Sequence, residues 1–158
     1  MNLIINSQYF EDNTVIDTDF SVEKSYIHLI EAHEIQVFEL LGKELFDRVQ
    51  TILSGTPAGL ELDLINLLKP FTVKATEINL IPFLNSPVTA KGTQDRTGNF
   101  TQSANDTNTG LTLDAVRSRL ETYAQKVRNF LDDNRTEFPE WKHCHEGGQN
   151  FYSCIHGV

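Results

Sequence analysis

Between two blocks of helical periodicity lies a polar interval, from about Pro87 to Gly110, that constrains this chain more than any other feature. It holds Thr89, Lys91-Gly92, Gly98 and Phe100 and closes on a run of Ser, Asn, Asp and Thr. Compact domains rarely carry more than roughly 15 residues without regular structure unless the segment has a task or is disordered. Such an interval either covers a site on its own subunit or lies across a neighbouring one, and the second is the expectation here. Ordering polar backbone costs about 1–2 kcal/mol per residue, so the few apolar residues must find pockets. Val88, Phe100 and Leu111 are the candidate anchors. Val88-Thr89-Ala90 reads as a strand that could pair with another main chain, Lys91-Gly92 as a turn, and Gly98-Asn99 as a second turn.

The flanking blocks read as helices. A first helix starts near Ser21 and follows Val22, Tyr26, Leu29-Ile30, His33, Val37 and Leu40-Leu41 at steps of three and four. Gly42 breaks or bends it, and Lys43-Glu44 opens a second helix with Leu45-Phe46, Val49 and Ile52-Leu53 on its apolar face. Ser54 to Gly59 is a loop. A third helix is expected over about Leu60–Leu68. Pro70 fits the first turn of a fourth, which runs through Phe71, Val73, Ala75, Ile78 and Ile81, with Pro82 near its end or kinking it. The last helix, capped by Thr112 or Asp114, buries Ala115, Val116, Leu120, Tyr123, Val127 and Phe130-Leu131 and ends near Asn134. The expected fold is therefore all-α: a small helical bundle with a long inserted loop or β-hairpin arm between the fourth and the last long helix. Residues 1–20 read as an N-terminal arm in which Leu3-Ile4-Ile5 could form a short strand. Residues 21–135 form the helical domain with the inserted arm at 87–110, and 136–158 a C-terminal tail. The N-terminal arm would pack on its own body or on another subunit.

Size and charge narrow the function. The 158 residues match one domain, with 39% hydrophobic residues for a core. No charge-free apolar run approaches the roughly 20 residues that span a bilayer. The first 20 residues lack the basic start and long apolar stretch of a secretion signal, so the chain is expected to begin in the cytoplasm of the cell that makes it. Formal net charge is −9, with the acids spread along the chain. That balance argues against wrapping nucleic acid, which needs cations to displace counterions. It is compatible with nucleic acid passing through an assembly, because a negative wall repels phosphate.

Candidate chemistry is sparse. The terminal segment carries His143, Cys144, His145, Cys154 and His156, enough donors for a structural zinc, but without the close Cys pair that opens a finger or ribbon. Packing or solvation of a polar tail is the favoured reading, and a Cys144–Cys154 disulfide is disfavoured in a reducing cytoplasm. His28, Glu31 and Glu34 follow at steps of three, yet no later helix repeats a Glu-x-x-His pair; Glu77 and Glu121 stand without a matching His. His33 falls on the apolar stripe, where a satisfied core histidine is expected. No nucleophile elbow or phosphate-binding loop is present in the sequence. The expectation is a protein that is not an enzyme and takes no cofactor. The alternative is a small helical metal-binding or regulatory protein that uses the terminal Cys/His cluster.

The order of parts resembles the head–tail connector (adaptor) proteins of tailed bacteriophages, in particular a branch from phages and prophages of Bacteroidetes-type bacteria. The resemblance rests on Leu40-Leu41-Gly42-Lys43-Glu44-Leu45-Phe46 and on the run from Pro82-Phe83-Leu84 to Val88-Thr89-Ala90-Lys91-Gly92, and spans roughly residues 20–135. It implies a virion structural protein, made in the host bacterial cytoplasm, forming a ring, commonly of twelve copies, beneath the portal. DNA would pass through the lumen without specific binding, and the ends of the ring would meet the portal protein and a downstream tail or second connector protein. Val88, Thr89, Ala90, Gly92, Phe100 and Leu111 would then lie at the interface between copies, with Gly42 and Pro82 as turn and packing positions. The Cys/His tail departs from the pattern.

Overall fold

Seven consecutive buried residues, Phe71 to Glu77, identify the helix around which everything else packs. Among them are Thr72, Lys74, Thr76 and Glu77, so the stretch is surrounded on every side and is not amphipathic. The computed structural model describes residues 2–14, 22–85, 88–89, 92–93 and 106–141. Its elements are α1 (Ser7–Asn13), α2 (Val22–Glu31), a π-helical segment (Ala32–Val37), α3 (Phe38–Leu41), α4 (Lys43–Ser54) and α5 (Leu60–Asn85). Two short strands, β1 (Val88–Thr89) and β2 (Gly92–Thr93), precede α6 (Asp106–Asp133). The architecture is a small all-α bundle. α5 packs against α6, α2 and the π segment, while α2 and α6 share little or no direct contact.

Several sequence expectations are corrected. The third and fourth helices are one, because α5 runs unbroken through Pro70 and Pro82. An interior proline costs about 3 kcal/mol by removing a hydrogen bond and crowding the preceding turn. Just beyond Pro70, burial of Phe71–Glu77 on all sides offsets that cost. Thr72 and Thr76 also turn their hydroxyls back onto Leu68 O (2.9 Å) and Thr72 O (2.8 Å), which keeps buried polar atoms satisfied. The last helix begins at Asp106, earlier than Thr112, so residues 106–110 of the expected arm are helical and Leu111 lies on α6. Helix continuity through Gly110 costs about 1 kcal/mol relative to Ala, which a 28-residue helix anchored along α5 can absorb. Ala115, expected on the buried stripe of that helix, is exposed, whereas Val116 beside it is buried. Leu3–Ile5 form no strand. Ile4, Ile5 and Phe10 instead enter the core, and α1 follows, capped by Asn6 through its side chain on Tyr9 N at 2.8 Å.

The amino-terminal segment packs on its own chain. Asn2 N donates to Gln50 Oε1 (2.9 Å), Gln50 Nε2 to Asn2 O (3.1 Å), and Asn2 Nδ2 to Ser54 Oγ (2.7 Å), tying the segment to α4. The core joins Leu29, Val37, Leu45, Val49, Leu64, Leu68, Leu80, Val127 and Leu131, with Phe138 closing it from beyond α6. The expected break at Gly42 is present: its φ of 72° and ψ of 165° lie where side chains with a Cβ are disfavoured. A Cβ there would meet no heavy atom within 4 Å, so any cost is backbone strain alone. Gly42→Ala is expected to lower stability by about 1–3 kcal/mol, seen as a reduced urea midpoint at unchanged slope. Gly55→Ala, at φ −110°, should be close to neutral in the same assay.

Candidate interaction surfaces

The π-helical segment sets what the first flank presents. Its i→i+5 hydrogen bonds widen the helix locally, and Ile27, Glu31 and Ile35, four residues apart, are all exposed. His33 and Val37 from the same segment are fully buried, while Glu34 and Ile35 remain exposed. Gln36 reaches α5, donating from Nε2 to Asn79 Oδ1 at 3.1 Å. The result is an outer face with large apolar side chains on it: Tyr26, Ile27 and Ile35 are 48%, 58% and 50% exposed. Tyr26 was expected on the buried stripe and lies outside it. Leu60 and Leu62 are exposed at the start of α5.

Beneath that face lies a polar core. Lys74 Nζ donates to Glu77 Oε1 at 2.6 Å, and Thr14 Oγ1 donates to the same oxygen at 3.1 Å. Glu77 is fully buried and its Oε2 has no hydrogen-bond partner among the described residues. His33 is fully buried with neither ring nitrogen bonded, 5.2 Å from the Phe46 ring. This corrects the expectation of a satisfied core histidine. Burial holds its pKa down at about 4. His28 and Glu31 do come together, Nδ1 to Oε2 at 3.1 Å, but as a helical side-chain pair and not as part of a metal cluster. No group of three or more His, Cys, Asp or Glu able to hold a metal occurs among the described residues.

A third feature fixes the end of the bundle. Arg48 on α4 lies 3.0 Å from Glu140, 3.4 Å from Glu137 and 3.6 Å from Glu61, with its guanidinium 5.0 Å above the centre of the Phe138 ring. Trp141 Nε1 donates to Asp132 Oδ1 at 2.9 Å. Arg48→Met keeps the stem and removes the charge, and is expected to cost about 1–2 kcal/mol. Fluorescence of the single tryptophan, Trp141, should shift to the red if the turn at 134–141 loosens.

Of the residues selected from sequence, Gly42 forms the turn and Pro82 lies inside the last part of α5. β1 and β2 pair antiparallel, Val88 opposite Thr93 and Thr89 opposite Gly92, so Gly92 sits in a strand. Ala90, Phe100, His143, Cys144, His145, Cys154 and His156 lie outside the described residues, as do the side chains of Val88 and Leu111. Lys74 was not selected, although an opposite-charge pair three apart in an otherwise apolar run was its visible signal. Ile27 and Ile35 were also missed, because both fall off the main apolar stripe of the first helix.

No curated protein matches the chain, and no solved structure does. A family model matches residues 37–150, from the end of the π segment through α6 and beyond, and on that match the chain belongs to a family of unknown function, DUF6712.

Proposed function

We propose that the chain is a structural subunit of a tailed-phage virion, forming a ring-shaped head–tail connector beneath the portal and extending the genome channel towards the tail. The observation that supports this reading is the junction after the central helix. The run resembling connector proteins, Pro82 to Gly92, passes from the end of α5 into an antiparallel main-chain pair that stands between the two longest helices. In this reading the bundle is the rigid wedge, and the 87–105 part of the inserted arm buries its apolar residues on the adjacent copy. One heterologous contact repeated about an axis then closes the ring. The overall negative charge suits a channel wall along which DNA slides without being held.

The test is assembly on a template. Purified protein mixed with the portal of the phage or prophage that encodes it should give annular particles in negative stain, one ring per portal. Protein that stays monomeric and unbound at every protein concentration and ionic strength tried would overturn the reading.

A further inference from the structure

The helical stretch that ends at Leu41 carries two apolar registers, and the fold uses one of them. Read as an unbroken α-helix, Tyr26, Ile30, His33, Val37 and Leu41 follow at steps of four, three, four and four and share one face. In the folded chain that face is kept only from His33 onward. Before it, His28, Leu29 and Ala32 are buried, Ile30 is half-buried and Tyr26 stands exposed. An aromatic ring thus meets water while an imidazole two residues on is buried. The change falls at the π-helical segment, Ala32–Val37. Each i→i+5 bond encloses one residue more than the i→i+4 bond of an α-helix, so the stretch before the segment is offset by about one residue from the stretch after it. At the offset itself His33 is fully buried with neither ring nitrogen bonded, an unsatisfied polar group in this register.

We propose that the π segment is a register switch: α2 exchanges between the observed offset state and an unbroken α-helical state in which it is turned by one residue on the bundle. In the second state Leu29 takes the position of His28, and Ile30 that of Leu29. Tyr26 then turns inward and His28 outward. The sequence suits both states. Leu29 and Ile30 are adjacent and of equal size, so either fills the same space with little change. Ala32 is a good helix former whether buried or exposed. His28 Nδ1 lies 3.1 Å from Glu31 Oε2, an i,i+3 pair that survives a move to solvent because both residues turn together. α3 stays in place, since Leu40 and Leu41 are buried and Gly42 forms the turn into α4. What changes is the outer face of α2, which presents Tyr26 in one state and His28 in the other.

Methyl relaxation dispersion on isoleucine-labelled protein tests it, because helix register shifts run on the microsecond-to-millisecond timescale. Exchange is expected at Ile27 and Ile30 and not at Ile52 and Ile65, which are buried on α4 and α5. Deleting Glu34, an exposed residue of the π segment, removes the extra residue and locks α2 with its observed face inward, so the exchange should vanish. Wild-type methyls without exchange, or exchange that survives the deletion, would rule the switch out. His28→Lys pushes the other way. A lysine is costly at position 28 in the observed register, where the position is buried, and costs little in the α register, where it reaches water. Nitration of Tyr26 by tetranitromethane, followed by peptide mass spectrometry, should slow by at least about threefold in that variant. A His28→Lys protein that is folded by circular dichroism, yet nitrated on Tyr26 at the wild-type rate, would equally refute the switch. Should one variant fail to fold, the wild-type dispersion and the other variant still decide.

Discussion

Glu77→Ala is expected to be the most damaging single substitution, lowering stability by about 3–5 kcal/mol. The loss comes from what remains behind. Lys74 is itself buried, and its ammonium is held by Glu77 Oε1 at 2.6 Å. Without the carboxylate, a cation stays in a low-dielectric interior with no compensating charge, and Thr14 loses the acceptor that ties the end of α1 to α5. Removing both charges should be far less harmful. The Lys74→Met, Glu77→Leu double variant is expected to fall within about 1 kcal/mol of the wild type, because well-packed apolar residues often replace buried ion pairs without loss. Chemical denaturation of the two singles and the double completes a cycle whose coupling energy should be large and favourable. If Glu77→Ala unfolds at the wild-type midpoint, the pair contributes nothing and the buried polar core has no energetic role.

The helices were legible because their signals are local. Periodicity at three and four located α2, α4 and α6, and Gly42 announced its turn because a glycine that interrupts an apolar stripe frees the backbone to leave the helix. What was not legible depended on tertiary context. Pro70 carries the sequence mark of a helix start, and only burial of the following seven residues on all sides allows α5 to continue past it. Gly110 and its polar neighbours read as loop, yet α6 begins at Asp106. The π segment leaves no distinctive residue pattern, and it is what places Glu34 and Ile35 outside while His33 turns inward. The candidate surface followed the same rule. Its residues were visible one at a time, but which of them the bundle leaves exposed is a property of the packing.

Stability should also fall with acid in a window set by His33. Its folded-state pKa is depressed from 6.5 to about 4 by burial, so the neutral ring is the form the native state accommodates. Above pH 6.5 the ring is neutral folded and unfolded, and titration contributes no penalty. Between 6.5 and about 4 the unfolded chain binds a proton that the native chain refuses, so stability declines as pH falls and the loss is complete below the folded pKa. At about 1.4 kcal/mol per pH unit, the full loss is about 3 kcal/mol. Most of it should be present by pH 5, before the majority of carboxylates titrate. His33→Phe removes the titration and replaces two unbonded buried nitrogens with a ring suited to Phe38 and Phe46, whose own rings lie 5.4 Å apart in an edge-on arrangement. The variant should be at least as stable as the wild type at pH 7.5, since an unsatisfied buried polar atom costs about 1–3 kcal/mol. Its urea midpoint should then hardly move between pH 7.5 and 5.5, while the wild-type midpoint drops. Parallel declines in the two proteins would mean that another group governs the acid response and that the buried imidazole is not the sensor.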